Sequence, residues 1–200
     1  MRFVLASASP ARLQTLRAAG VDPEVIVSGV DESAITADKP TELVLALARA
    51  KAEAVAAQLG TPDEPVLVLG CDSMLQFEQE MLGKPGSARA AMARWLAMRG
   101  RSGVLHTGHV LLDLGTGERA ERTVSTTVKF ADVSDAEIVD YVGTGEPLVV
   151  AGAFTIDGLG GWFVESIVGD HHNVVGLSLP TLRRLLISLG HGLSDLPKRP

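Results

Sequence analysis

The fold of this chain is decided by the stretch Pro65-Val66-Leu67-Val68-Leu69-Gly70-Cys71-Asp72-Ser73. Its apolar run over residues 65–70 predicts a buried strand that delivers Cys71, Asp72 and Ser73 at its C-terminal end. Strand and helix patterns alternate upstream of it: strands at residues 3–6 and 24–28, a helix that ends before Gly20, and a helix over residues 41–59. This alternation predicts an α/β protein.

The second half of the chain contains more strand signals. Residues 104–114 and 121–130, joined across Gly115-Thr116-Gly117, predict a long antiparallel hairpin. Further elements are expected as helices over residues 87–99, from the capping box at Ser134 to Gly143 and after Ser178, and as strands over residues 153–156 and 162–167. We therefore expect one domain over residues 1–192, built as two lobes that share a sheet, and a flexible tail over residues 193–200.

Bulk composition limits the function classes. The chain has 200 residues, of which 46% are hydrophobic and 21% charged, as in an ordinary globular protein. Its formal net charge of -6 disfavours nucleic-acid polymers but still allows nucleotides, provided that a local cluster of Lys and Arg holds them. A single cysteine, no signal-peptide pattern and no apolar run near the roughly 18 residues of a membrane span predict a cytoplasmic protein.

Asp72 is the strongest candidate for a chemical role. A buried strand has no need to end in a carboxylate, whereas ligand sites in open α/β sheets lie beyond the C-terminal ends of strands. Apolar surroundings would raise the pKa of Asp72 and suit it to act as a base near neutral pH. The alternative is an Asp that only starts a turn or caps backbone amides.

Two cations occupy unusual places. Arg12 falls in the first turn of a helix that Ser9 is placed to cap, where the helix dipole disfavours a cation unless an anion is near. Ser9, the backbone and Arg12 are therefore candidates for phosphate binding, although an ordinary surface Arg after an N-cap is the simpler reading. Lys51 replaces an apolar residue on the buried stripe of a helix, so its ammonium either contacts phosphate or snorkels to water.

Weaker candidates complete the set. Glu32 lies in a loop, where acids are usually solvated, and Lys84 lies in Gly83-Lys84-Pro85, which is usually just a turn. Together with Arg12, Lys51 and Asp72, these residues would supply three cations and two carboxylates. That combination suits a triphosphate, whose charge must be neutralised while its α-phosphorus is presented to an activated water.

Other chemistries are disfavoured by the pattern. The adjacent His171 and His172 lack a third ligand at a zinc-site spacing. No serine stands in a G-x-S-x-G elbow, and the glycine-rich residues 152–161 contain neither a P-loop nor a dinucleotide-binding fingerprint.

Several short motifs resemble those of the Maf-like family, in matching order and spacing. The resemblance continues to about residue 189. The motifs are Leu5-Ala6-Ser7-Ala8-Ser9-Pro10-Ala11-Arg12, Val30-Asp31-Glu32, Ala48-Arg49-Ala50-Lys51-Ala52, Gly70-Cys71-Asp72-Ser73, Gly83-Lys84-Pro85, His106-Thr107-Gly108, Gly145-Glu146-Pro147, Ala151-Gly152-Ala153-Phe154 and Asn173-Val174-Val175-Gly176-Leu177.

The resemblance implies a mixed α/β fold of two lobes around a central cleft, similar to inosine triphosphate pyrophosphatases, and a homodimer. It implies hydrolysis of nucleoside triphosphates, standard or modified, to the monophosphate and pyrophosphate, with a divalent cation, Mg²⁺ or Mn²⁺. Asp72 would be the proton acceptor, with Lys51, Lys84 and Glu32 as further catalytic residues. Ser7, Ser9 and Arg12 would bind phosphate, and Glu32 and Asp72 would hold the metal.

Base selection is less clearly implied. Family members that favour dTTP and UTP have Arg, Thr and Gln where this chain has Ala11, Ser73 and Asp157, and members that favour 7-methyl-GTP have Trp, Gln and Glu. The chain matches neither subgroup. Because Ala11 replaces a large side chain, we expect a roomier and less selective base pocket.

Two other functions are alternatives to hydrolysis of nucleoside triphosphates. A nucleotide-binding regulator of cell division would need the cations but not Asp72. A phosphatase for small phosphomonoesters would hydrolyse nucleoside monophosphates.

Overall fold

The computed structural model describes residues 1–198, which contain seven strands and six α-helices. Its strands are β1 (Arg2–Ala6), β2 (Glu24–Val25), β3 (Val66–Phe77), β4 (Glu80–Leu82), β5 (Ser102–Asp113), β6 (Arg119–Phe130) and β7 (Val164–Val168). Its helices are α1 (Pro10–Ala18), α2 (Pro40–Leu59), α3 (Ala88–Met98), α4 (Asp135–Gly143), α5 (His171–Val175) and α6 (Leu179–Ser188). Short 3₁₀ segments occur at Glu32–Ala34, Glu146–Val149, Ala151–Ala153, Leu159–Phe163 and Leu193–Asp195.

The strands form a mixed sheet in the order β2-β1-β3-β5-β6-β7, with β4 paired to β3. β1 runs parallel to β2 and to β3, whereas β3 with β4 and β6 with β7 are antiparallel pairs. The predicted α/β class and mixed sheet are confirmed. None of the helices over residues 1–198 is both long and apolar enough to cross a membrane.

The chain divides into two compact units. The first unit comprises Met1–Asp72, Thr107–Val124 and the chain from Gly176 onward, and the second comprises Ser73–His106 and Ser125–Val175. In the first unit, apolar side chains of β1 and β3 pack against α1 and α6 on one side and against α2 on the other. In the second, Trp95 makes edge-to-face contacts with Phe130, Tyr141 and Phe163 at the centre of the core.

The structure corrects the prediction for the central strand. The strand predicted to end near Gly70 continues to Phe77, so Asp72 lies inside β3 rather than at its end. β1 stops earlier, since its last residue, Ala6, pairs with Gly70. Beyond that point β3 is extended by pairing with β4, and the alternating Leu75 and Phe77 are buried there. Asp72 therefore lies just past the carboxyl end of β1, its parallel neighbour. That position still fits the expectation that ligand sites in open α/β sheets lie beyond the C-terminal ends of strands.

Other element predictions also needed correction. The strand expected over residues 24–28 shortens to Glu24–Val25, and residues 153–156 form no strand. The strand expected over residues 162–167 begins only at Val164, because the preceding residues form a 3₁₀ segment.

The tail expected over residues 193–200 packs against the first unit as far as it is described. Leu193–Asp195 form a 3₁₀ turn, and Leu196 is buried in the apolar cluster of α1 and α6. Lys198 forms an isolated antiparallel β-bridge with Val21. Burial of an apolar side chain favours this docked conformation over a frayed one. Residues 199–200 lie outside the described part of the chain.

Candidate active site

A buried ion pair joins α2 to β3 in the first unit. Lys51 Nζ lies 2.5 Å from Asp72 Oδ1, and the two side chains are only 11% and 8% exposed. The prediction that Lys51 snorkels into solvent is therefore wrong, because its ammonium pairs with carboxylates inside the protein. Its contact with phosphate stays a prediction. Taking two charges out of water is costly, so such a pair is unusual unless it has a function or excellent geometry.

The pair forms because α2 lies unusually close to the sheet. A Cβ at Gly70 would stand 2.2 Å from the carbonyl oxygen of Ala48, and one at Gly108 would stand 2.3 Å from that of Val44. Both positions on the sheet therefore require glycine. Lys51 follows Ala48 by most of a helical turn, and Asp72 lies two residues beyond Gly70, so this close contact brings their side chains together.

Burial dominates the electrostatics of Asp72. Burial raises the pKa of Asp72 above its usual range, although the charges of Lys51 and Arg12 and the hydrogen bond from Lys51 oppose that rise. Its second oxygen, Oδ2, is buried and has no hydrogen-bond partner among residues 1–198. A buried, unpartnered carboxylate oxygen is costly, which makes it a candidate contact for a water, a metal ion or a substrate.

Glu32 joins the same cluster from a loop. Lys51 Nζ lies 2.7 Å from Glu32 Oε1, so the ammonium bridges two carboxylates. Glu32 begins a 3₁₀ turn whose N-cap, Asp31, accepts a hydrogen bond from the Ser33 amide. With 54% of its side chain exposed, Glu32 is the solvent-facing acid of the cluster and Asp72 the buried one.

Arg12 is buried in an arrangement that sequence reasoning missed. Its guanidinium donates to the carbonyl oxygens of Gly176 and Cys71, at 2.8 Å each, and to Ser7 Oγ at 3.1 Å. These contacts tie the start of α1 to the segment before α6 and to β3 beside Asp72. The simpler reading of Arg12 as a surface residue is thus wrong. Its carbonyl partners were invisible in sequence because they are backbone atoms of distant residues.

The predicted N-cap role of Ser9 is confirmed. Ser9 caps α1, since its side chain accepts from the Arg12 amide at 3.5 Å, and its own amide donates to Ser7 Oγ at 3.1 Å. Ala11 follows on the first turn of α1 with its side chain partly exposed. The structure thus groups Ser7, Ser9 and Arg12 in the first unit together with Lys51, Asp72 and Glu32.

The remaining predicted residues belong to the second unit. Lys84 is exposed between β4 and α3, Ser73 lies on β3, and Asp157 is exposed between Phe154 and the 3₁₀ segment that begins at Leu159.

Two carboxylates, rather than a complete ligand set, are available for a metal ion. No group of three or more His, Cys, Asp and Glu side chains within residues 1–198 is arranged to hold a metal by itself. Glu32 and Asp72, with its unpartnered Oδ2, nevertheless fit a Mg²⁺-like ion, because such ions are commonly held by one or two carboxylates and by the phosphates of the substrate.

An α/β protein with a buried carboxylate–ammonium pair and a serine–arginine cluster at the carboxyl end of β1 has the features of an enzyme that handles anionic substrates. The sequence matches the family described as Maf-like protein over residues 2–189. The chain belongs to the Maf-like family.

Curated relatives are similar over almost their full length. The chain is 60% identical over 200 residues to a protein of Salinispora tropica, which covers 100% of this chain and 88% of that protein. It is 57% identical to a Streptomyces coelicolor protein (98% and 94% covered) and 55% identical to one of Thermosynechococcus vestitus (98% and 98% covered). All three bear the name nucleoside triphosphate pyrophosphatase.

A solved structure of the Staphylococcus aureus Ham1 protein aligns with 66% of this chain and 73% of its own, at 18% identity and a TM-score of 0.44. That likeness is too slight to support an argument about the site.

Proposed function

We propose that this protein hydrolyses nucleoside triphosphates to the monophosphate and pyrophosphate by attack of water on the α-phosphorus. The names of its close relatives support this reaction class. The observation that carries the proposal is Asp72, a buried carboxylate with a raised pKa, one oxygen bound to Lys51 and the other without a partner among residues 1–198. A protein that only bound nucleotides would have no use for such a group.

Asp72 would accept the proton of the attacking water. Its raised pKa makes the Asp72 carboxylate a better proton acceptor near neutral pH. Lys51 holds Oδ1, which fixes the orientation of the carboxylate, and Oδ2 has no partner among residues 1–198. As the bond from the water oxygen to the α-phosphorus forms, the bond to the bridging oxygen breaks, and pyrophosphate leaves with its electron pair.

The cations would neutralise the triphosphate. Lys51 forms ion pairs with the carboxylates of Glu32 and Asp72, and its ammonium is the positive charge next to the proposed base. Ser7 and Ser9 would offer hydroxyl groups, and Arg12, though occupied with carbonyl oxygens, keeps its positive charge buried beside them. Lys84, exposed in the second unit, would add a further cation. On a chain of net charge -6, such local groups are needed to attract a polyanion.

Glu32 and Asp72 would hold a divalent cation, Mg²⁺ or Mn²⁺. The ion would neutralise phosphate charge and orient the phosphates. Because only these two carboxylates are offered, we expect the free protein to bind the ion weakly and the nucleotide to complete its ligands.

Recognition of the base would fall to Ala11, Ser73 and Asp157. The small Ala11 and Ser73 side chains favour a roomy pocket, so the discrimination that remains among bases would come from Asp157. We further propose that the protein works in the cytoplasm as a homodimer and does not act on nucleic-acid polymers.

The reaction is tested by its products. The protein is incubated with ATP, GTP, CTP, UTP and dTTP in Mg²⁺ or Mn²⁺, and pyrophosphate and inorganic phosphate are measured separately. We expect pyrophosphate and the monophosphate in equal amounts. Inorganic phosphate as the primary product would mean cleavage at the terminal phosphate, and hydrolysis of nucleoside monophosphates would indicate a phosphomonoesterase instead.

A regulator that binds without turnover is separated by Asp72→Asn, with Asp22→Asn on the surface as the matched control. The proposal expects Asp72→Asn to bind nucleotide and release almost no pyrophosphate, while Asp22→Asn behaves as the parent. If the parent and Asp72→Asn bind nucleotide equally and neither releases pyrophosphate, the regulator is favoured.

A further inference from the structure

A second carboxylate, Glu146, lies in the second unit and is surrounded by donors. Its partners come from both sides of the loop over residues 155–160, here named the Asp157 loop, and from α4. Glu146 Oε1 accepts from Tyr141 Oη at 2.8 Å, Thr155 Oγ1 at 2.6 Å and the Gly160 amide at 2.9 Å, and Oε2 accepts from the Leu159 amide at 2.9 Å. One side chain thus closes the loop at both ends.

Two glycines make this closure sterically feasible. A Cβ at Gly158 would stand 2.5 Å from Glu146 Oε2, and a Cβ at Gly160 would stand 2.4 Å from Tyr141 Oη. Both distances are far inside van der Waals contact. Gly158 therefore leaves room for the Glu146 carboxylate, and Gly160 leaves room for the Tyr141 hydroxyl that donates to it.

The carboxylate is stable in its ionised form. Burial alone would raise the pKa of Glu146, but the hydrogen bonds from Thr155, Leu159, Gly160 and Tyr141 outweigh burial and hold that pKa below its ordinary value. Hydrogen bonds to an ionised group are shorter and stronger than neutral ones. At neutral pH the loop is therefore held by an ionised carboxylate.

Asp157 stands between the two anchors. It follows Thr155 by two residues and precedes Leu159 by two, and its own side chain is exposed. An exposed carboxylate on a loop pinned at both ends is a pre-organised acceptor, because the entropy of ordering the loop has already been spent in folding.

We propose that Glu146 is a positioning residue that sets the protein's discrimination among nucleobases by fixing the Asp157 loop. The proposal rests on the proposed function insofar as Asp157 faces the base of a nucleoside triphosphate. Glu146 itself contacts neither substrate nor water in this scheme; it acts through the placement of Asp157.

The test variant is Glu146→Gln. In either orientation of the amide, its NH₂ group faces the Leu159 or the Gly160 amide, so at least one of these two loop donors loses its acceptor. Asp157→Ala and the double variant show whether both residues act on the same property. Tyr141→Phe is the matched control, since it removes one hydrogen bond to the same carboxylate and leaves the donors Thr155, Leu159 and Gly160 to Glu146 in place.

The readouts are kcat and KM for five nucleoside triphosphates, dissociation constants for their α,β-methylene analogues, and the melting temperature. The spread is the ratio of kcat/KM between the best and the worst nucleotide. In Glu146→Gln we expect this spread to narrow about tenfold. The change should lie in KM rather than kcat, match that of Asp157→Ala, and grow no further in the double variant. Tyr141→Phe should lower the melting temperature and keep the spread.

Three results would overturn the proposal: an unchanged spread in Glu146→Gln despite a lower melting temperature, additive narrowing in the double variant, or no discrimination by the parent. If the parent discriminates among analogues but releases no pyrophosphate, the proposed function fails and the dissociation constants still decide the role of Glu146. If Glu146→Gln does not fold, Thr155→Val, which removes a single anchor, replaces it and should narrow the spread by a smaller factor.

Discussion

Asp72 in the first unit and Glu146 in the second are both partly or wholly withdrawn from water, yet they are treated in opposite ways. Asp72 has a lysine on one oxygen and no partner on the other within the described chain, and burial raises its pKa. Glu146 has a donor on each oxygen and four in all, and its hydrogen bonds lower its pKa.

The difference separates Asp72, which we propose as the base, from Glu146, which holds a loop in place. A satisfied carboxylate has spent its acceptor capacity on its own chain and is a poor base. A carboxylate with an unmet oxygen and a raised pKa keeps that capacity for a ligand, at a cost in stability. Hydrogen-bond satisfaction, rather than burial or sequence motif, tells the two apart.

The largest expected effect is on turnover. Asp72→Asn keeps the shape of the side chain but removes the base, so kcat should fall by about 10²–10⁴-fold, as measured by pyrophosphate release. Glu146→Gln should act on KM and selectivity instead. A fall in kcat for Glu146→Gln as large as that for Asp72→Asn would break the distinction between the two carboxylates.

The next effect concerns the partner of Asp72. Lys51→Met conserves length but removes the charge that opposes the rise in the pKa of Asp72, so that pKa should rise further. The acid limb of the kcat profile should then move to higher pH, with a loss of about tenfold per pKa unit on that limb. Lys39→Met, which removes an exposed lysine paired with Glu42, is the control and should leave the profile in place. An unmoved limb in Lys51→Met would mean that another group sets it.

Two glycine variants compare the rigidity of the α2–β3 contact beside Asp72 with that of the Glu146 side chain. Gly70→Ala collides with the backbone carbonyl of Ala48, which cannot yield, and should cost about 3 kcal/mol in the free energy of unfolding. Gly158→Ala collides with the end of the Glu146 side chain, which can rotate, and should cost about 1 kcal/mol. Urea denaturation measures both. The reverse order would show that Glu146 is held more rigidly than the α2–β3 contact.

The smallest effect is the pH dependence of stability, and its sign differs between the two carboxylates. Between the ordinary Asp pKa of 3.8 and the raised pKa of Asp72, the folded state binds more protons than the unfolded one, so Asp72 makes stability fall as pH rises. Glu146 has a lowered pKa, so its contribution is present above the ordinary Glu value of 4.5 and is lost as pH falls through its folded pKa.

Urea titrations between acid and neutral pH should therefore show that Asp72→Asn removes a falling slope and Glu146→Gln a rising one. Each change is on the order of 1 kcal/mol per pKa unit. Slopes of the same sign in both variants would contradict the assigned pKa directions.

Much of this site could be predicted from sequence because its signals are local. Lys51 breaks an apolar helical stripe, and Asp72 closely follows an apolar run, so both stand out within a few residues of their own position. Ser9 caps its helix as its spacing to Arg12 predicts. The end of β3 was misplaced because pairing with β4, rather than the apolar run itself, decides how far the strand continues.

Glu146 and the buried contacts of Arg12 had no such local signal. Gly145-Glu146-Pro147 reads as a turn with a solvated acid, and nothing near Arg12 announces the carbonyl oxygens that it binds. A side chain's partners depend on which distant backbone atoms the fold brings to it, and periodicity carries no information about them.

The sequence by itself thus determined the α/β class, most of its elements and the two residues that form the buried ion pair. Only the tertiary structure decided which carboxylate is left unsatisfied. The partner of Asp72 lies 21 residues away on another element, and the farthest donor to Glu146 lies 14 residues away. Burial and hydrogen-bond supply are properties of the packed chain, and they alone distinguish Asp72, with an oxygen left for chemistry, from Glu146, which holds a loop in place.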